Sequence, residues 1–281
     1  MKTTMDRREF LHHGMLATSL LAAGRLPLLA KETAAGSAID AKAGPYAVKL
    51  VRDYLTDFSP SETTAEQHQR AMRYDIVHWH WGRGGRGSNE NTVVGQLRIA
   101  REKADGKVVY EVEQKKRIGG VDNVVEAEFA CNADPLDSLR VWRLKRYEID
   151  ANGRTRTASE LAEKGRCDGG RIRIEGDNYR YEHRAAHPVV TQWQLPFVLA
   201  GQAGARPNLA FDLLQDLSLF KPGQELVPDG QVEVAVAGGR KVTLRSYAQT
   251  GRGVLPVHYL VDAQGRIQLV TGGFLSWALQ G

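Results

Sequence analysis

His78 and His80 stand two residues apart in the run Asp75-Ile-Val-His-Trp-His-Trp81, and that spacing can do chemistry. In an extended strand, residues two apart project from one face, about 7 Å from each other. Two imidazoles so placed can share one metal ion, and a catalytic zinc would ask for a third protein ligand. The histidines and aspartate that could supply it, His183, His187, His258 and Asp262, are all far off in the chain. The competing reading is two half-exposed histidines on the wet face of a strand, with no cofactor at all. Trp79 and Trp81 then point the other way, with Val77, either into a core or into a cavity for an apolar ligand. Tyr110 and Tyr259 are further candidates for lining such a cavity.

The glycine run that follows, Gly82-Arg-Gly-Gly-Arg-Gly87, satisfies the dinucleotide pattern only in letters. A phosphate cradle needs a helix to begin there, so that free N–H groups meet the pyrophosphate. The next residues, Ser-Asn-Glu-Asn and then Thr92-Val-Val-Gly-Gln-Leu-Arg-Ile99, read as a turn and a strand. A polar hairpin loop is the better account. Cys131 and Cys167 leave two readings open, one disulfide or two separate buried thiols, because sequence does not say whether their Cα atoms come within about 7 Å. Nucleophilic catalysis finds little support: there is no Gly-x-Ser-x-Gly elbow and no His-Glu-x-x-His spacing. The balance leans away from an enzyme.

The elements that would position these residues begin after a leader. Asp6-Arg7-Arg8-Glu9-Phe10-Leu11 places twin arginines before Phe-Leu, and an apolar run from Met15 to Gly24 follows. That run is ten residues, where about 20 are needed to span a bilayer. The stretch resembles the export signal of the twin-arginine pathway, carried by Arg7, Arg8, Phe10 and Leu11. The resemblance implies residues 1–30 as a signal, the export machinery as a partner, and a periplasmic or secreted protein with no integral membrane segment. Residues 31–45 are small and polar and read as a flexible linker. Without the leader, 34 basic residues face 31 acidic ones, too even a balance for a nucleic-acid footprint.

From residue 46 onward one domain is expected. Residues 61–73 allow a short helix starting at Pro60-Ser61, with Thr63 and Thr64 weakening it. From Asp75 the period is two. Val108, Tyr110 and Val112 share a face opposite Glu111 and Glu113, and Val121, Val125, Ala127 and Phe129 share another. Turn signals recur at Gly119-Gly120, Asp150–Gly153, Gly176–Asn178, Gly238-Gly239 and Asp262–Gly265. Strands joined this way pair consecutively and antiparallel. Residues 191–202 interrupt the pattern as a short helix, shortened or kinked by Pro196. Residues 211–220 read as a helical turn or a buried strand.

Pro256, His258, Tyr259, Asp262, Gly265 and Arg266, together with residues 132–154, resemble uncharacterised exported β-proteins. The resemblance implies a strongly curved antiparallel sheet of the periplasmic lipoprotein-carrier kind. The expected fold is therefore all-β, a curved antiparallel sheet or incomplete barrel with one or two short helices in its hollow. The expected function is binding or carrying an apolar or amphipathic ligand there. A metal-dependent protein using His78 and His80, and an envelope scaffold or interaction protein, are the alternatives.

Overall fold

A computed structural model of the chain describes residues 60–62, 64–79, 91–104, 106–201, 208–235, 240–272 and 275–280. The leader, the linker, the Gly82–Gly87 run, His80, Trp81 and the Gly238-Gly239 turn lie outside these residues, as does the side chain of Trp79. Among the described residues, fifteen strands form one open, curved sheet, and two short α-helices accompany them. Among the described residues no helix is long and apolar enough to cross a membrane.

The chain first builds a meander. Strands β1 (Ala71–Trp79), β2 (Asn91–Ala104), β3 (Lys107–Ile118), β4 (Val121–Asn132), β5 (Leu139–Ile149), β6 (Leu161–Asp168), β7 (Arg171–Gly176) and β8 (Tyr179–Arg184) pair in order, each antiparallel to the last. A second meander comprises β10 (Leu209–Gln215), β11 (Leu219–Ala235), β12 (Lys241–Gly251), β13 (Val257–Val261), β14 (Ile267–Gly272) and β15 (Leu275–Leu279). It returns so that β15 pairs with β1, Tyr74 opposite Leu279 and Ile76 opposite Trp277. The two-residue strand β9 (Val189–Val190) lies parallel to β10 at the far edge. The edge strands β8 and β9 are joined by only residues 185–188, so the sheet bends until its edges approach. The His183 ring on β8 stacks on Phe220 of β11, 5.0 Å between centroids.

Alternation decides which side is the core. Val108, Tyr110 and Val112 are buried, and Glu111 and Glu113 face out, as the period-two reading expects. Gly119 and Gly120, both at positive φ, close the β3–β4 hairpin in two residues, the geometry that Gly-Gly favours. The Asp262–Gly265 turn is made by the Gly265 N–H donating to the Asp262 carbonyl.

Other expectations are revised. Helix α1 spans only Ala65–Arg70. Thr64 caps it, accepting from the Gln67 N–H while the Gln67 side chain accepts from the Thr64 N–H. A threonine that is a poor interior residue is thus a good first one. The strand begins at Ala71 instead of Asp75. Residues 211–220 are neither a helix nor one strand but the β10–β11 hairpin, turning at Asp216 and Leu217, both at positive φ. Strand β6, with its central Lys-Gly-Arg, carried no clear apolar alternation and escapes a sequence reading. Helix α2 (Leu195–Gly201) has Pro196 in its first turn, where a missing N–H breaks no helical bond, so the proline does not kink it.

Candidate functional site

The hollow of the sheet is where a ligand was expected, and the chain itself occupies it. Residues 191–201 lead into and form α2, of which Leu195, Pro196, Phe197, Val198, Leu199 and Ala200 are buried. A helix that is apolar on all sides belongs inside a core. One side of this segment, Trp193, Phe197 and Ala200, packs with Tyr110, Phe129, Trp142, Leu144, Ile172 and Ile174 of the first meander. Its other side, Leu195, Val198 and Leu199, packs with Phe211, Leu226, Tyr247, Tyr259 and Ile267 of the second. The plug therefore touches both halves of the sheet.

Two turns grip the plug at its entry. Gln194 Nε2 donates to the carbonyls of Leu136 and Asp137, at 2.8 and 2.6 Å, and its Oε1 accepts from the Thr191 N–H at 3.0 Å. Gln192 Nε2 donates to Asp216 Oδ1 at 2.6 Å, and its Oε1 accepts from the Asp216 N–H at 2.8 Å. Among the described residues, the non-glycine residues with positive φ are Asp137 (48°), Asp216 (52°) and Leu217 (57°). All three lie in these two turns. Strained backbone of this kind costs on the order of 1–3 kcal/mol per residue and gathers at clamps and switches.

A buried polar cluster holds the first turn. Asp137 Oδ2 accepts from the Tyr110 hydroxyl at 2.5 Å and from Arg101 Nε and Nη2 at 3.0 and 2.9 Å. Burial, and then the Asp137 charge, push the Tyr110 hydroxyl far above its ordinary range. Burial works against the Arg101 charge, yet Tyr110 and Asp137 together hold its pKa up. Asp134 accepts from the N–H groups of Leu136 and Ser138 and so shapes the same turn. In the cluster around the plug, the indole N–H groups of Trp142 and Trp193 have no hydrogen-bond acceptor among the described residues. An unmet buried donor of this kind costs about 1–3 kcal/mol.

Tyr110 and Tyr259 line no open cavity. Tyr110 is fully buried, stacked on Phe129 at 4.8 Å and edge-on to Phe197 at 5.5 Å. Tyr259 is buried and donates to Gln249 at 3.0 Å, and burial pushes its hydroxyl up. Both are core residues, Tyr110 in the cluster of the first meander and Tyr259 in that of the second. His78 shares the face of Tyr74 and Ile76, opposite Leu275 of β15, and is half-buried. His78 therefore shares its face with Met72, Tyr74 and Ile76 of the core cluster and not with a wet side, and Val77 on the opposite face is buried as well. No group of three metal-ligating side chains occurs among the described residues. His183 stacks on Phe220, and His187, His258 and Asp262 serve three separate sites.

Those three sites have their own chemistry. His187 Nδ1 lies 3.4 Å from Asp212. Burial alone would raise the Asp212 pKa, but N–H donors from Gly223, His187 and Ala186 outweigh it and hold the carboxyl below its usual range. His258 Nδ1 lies 3.0 Å from Asp229, which also accepts from Ser246 Oγ at 3.2 Å. In a hydrolytic triad the histidine must stand between acid and nucleophile; here the acid stands in the middle. Asp262 accepts from the N–H groups of Gln264 and Arg266, from Arg266 Nε at 2.6 Å and from Gln268 Nε2 at 2.7 Å. The Asp-x-x-Gly-Arg signature is therefore a self-bonded turn. Through Gln268 it also ties Ser61, at the approach to α1, to β14.

Cys131 and Cys167 are separate thiols, Cys131 buried and Cys167 half-buried. They lie on β4 and β6, with β5 between them. Two strand spacings are about 10 Å, beyond a disulfide's reach. Burial raises the pKa of both, and neighbouring aspartates add to it. Of the two readings, separate thiols is what the fold holds.

On the outer face of β6, β7 and β8, Arg166, Arg171, Arg173 and Arg184 surround a notch of about 290 Å³ together with Asp168 and Gly169. The sequence reading missed it, because the arginines are scattered over 19 positions and only the hairpin pairing gathers them.

Comparisons with known proteins add little. No family model matches the chain, and no curated protein matches it. Among solved structures, a DUF1089 family protein from Pseudomonas aeruginosa aligns over 61% of this chain and 87% of its own, at 12% identity and a TM-score of 0.29. A likeness that weak carries no argument about fold or function.

Proposed function

We propose that the chain is an exported envelope protein that takes up an apolar or amphipathic ligand in the hollow now filled by residues 191–201. Export by the twin-arginine machinery and a periplasmic or secreted location belong to the same proposal and rest on Arg7, Arg8, Phe10 and Leu11. The observation that carries it is the clamp: an all-apolar helix whose entry is gripped by two turns that concentrate the strained residues. Releasing that grip relieves strain and exposes a lined apolar trough. The unmet indole donor of Trp142 on β5 suits a ligand with a hydrogen-bond acceptor, since such pockets combine apolar walls with a few placed polar groups. The alternative of an envelope interaction protein is favoured by the packing itself, because a filled hollow needs no ligand to be stable.

The test is native mass spectrometry and solvent extraction of protein purified from the periplasm, with titration of a fluorescent fatty acid. Wild type should carry or bind one apolar molecule. Gln194→Ala, which loosens the clamp, should bind more tightly. If neither protein carries or binds one, the carrier reading fails and the interaction reading stands.

A further inference from the structure

The outer face of the first meander is a ladder of opposite charges, with one unbalanced corner. Along it Arg98 pairs with Glu113, Arg143 with Glu128, Lys164 with Glu175 and Arg180 with Glu175. At the β6–β7 hairpin end the pattern changes. Arg166 lies directly opposite Arg173, and Arg171 directly opposite Arg184. Like charges placed directly across an antiparallel pair are destabilising. Arg173 is paired with Glu182 at 3.0 Å. Arg166, Arg171 and Arg184 are exposed and form no ion pair with any described residue.

Position explains why the four meet. In β6 to β8, alternation sends Arg166 and Asp168, Arg171 and Arg173, and Glu182 and Arg184 to the outer side, while Cys167, Ile172 and Ile174 go to the core side. Strands lie about 4.8 Å apart and same-face residues about 7 Å apart along each strand. Four guanidinium groups therefore reach one notch of about 290 Å³ from three strands, with one carboxylate in its lining, that of Asp168 opposite Arg171.

We infer that this notch is a binding site for a phosphate group, as a soluble phosphate compound or a lipid headgroup. A planar carboxylate is satisfied by one or two guanidinium forks. A tetrahedral phosphate dianion has three terminal oxygens and accepts from several directions at once, which is what arginines converging from three strands supply. Its charge also relieves the two opposed arginine pairs. The proposal is independent of the hollow and survives if no ligand enters it.

The experiment is calorimetric titration and thermal unfolding of the purified full chain with inorganic phosphate, using chloride at equal ionic strength as control. A parallel arm measures sedimentation with phosphatidylcholine vesicles, plain or doped with phosphatidic acid. Wild type should bind one equivalent of phosphate and gain thermal stability from it. Arg184→Glu places an acid opposite Arg171, so it should raise the melting temperature of the ligand-free protein. The same variant should weaken phosphate at least tenfold, a split that a purely structural role does not produce. Doped-vesicle binding lost in Arg184→Glu identifies a lipid headgroup. Phosphate binding without vesicle binding identifies a soluble compound. No saturable phosphate binding by wild type, or unchanged binding by Arg184→Glu, overturns the site.

Discussion

His68 shows how one side chain couples distant segments. Its Nε2 accepts the Ile267 N–H at 3.0 Å, so the ring must be neutral there. Burial pushes its pKa down to about 4, outweighing the pull of the Asp262 charge. The unfolded chain binds a proton near pH 6.5 and the folded one does not. Stability is therefore full above pH 6.5 and falls as pH drops toward 4. The linked loss approaches about 3 kcal/mol. Urea unfolding at pH 7 and pH 4.5 should show that difference, and His68→Gln should remove most of it. None of this was legible beforehand: in the sequence His68 is one polar residue of a weak helix. The apolar identities were more open, since the alternating burial of Val108, Tyr110 and Val112 follows from spacing alone.

At the scale of elements, hairpins were readable because their turns announce themselves. Gly119-Gly120 and Asp262–Gly265 close where local chemistry says they must. Strand β6 was not readable, and Gly165 shows why. A Cβ there would lie 2.1 Å from Trp142 Cζ2, so the glycine exists to seat an indole from the neighbouring strand. In sequence it looks like a breaker. Gly165→Ala should lower stability by about 1–3 kcal/mol and alter the near-ultraviolet circular dichroism of the tryptophans. Normal stability with an unchanged spectrum would contradict this packing. Helix α2 was legible as an apolar interruption, but its place inside the hollow was not.

The whole molecule depends on one seam. The two meanders join within the sheet where β1 pairs with β15, and they share the plug. The register there, Tyr74 to Leu279 and Ile76 to Trp277, closes the core over a separation of more than 200 residues. Deleting residues 275–281 should therefore abolish cooperative unfolding of the entire domain and leave a species that binds a hydrophobic dye. A truncated chain that still melts in a single sharp transition would show that the meanders stand alone.

Period-two alternation and glycine turns act over a few residues, so the residues themselves determined an antiparallel sheet, its inward faces and a helix that interrupts it. Which edges meet, what fills the hollow and which charges gather are set by contacts between segments far apart in the chain. Only the tertiary structure put His78 on the core side, separated Cys131 from Cys167 by a strand, and drew four scattered arginines around one notch.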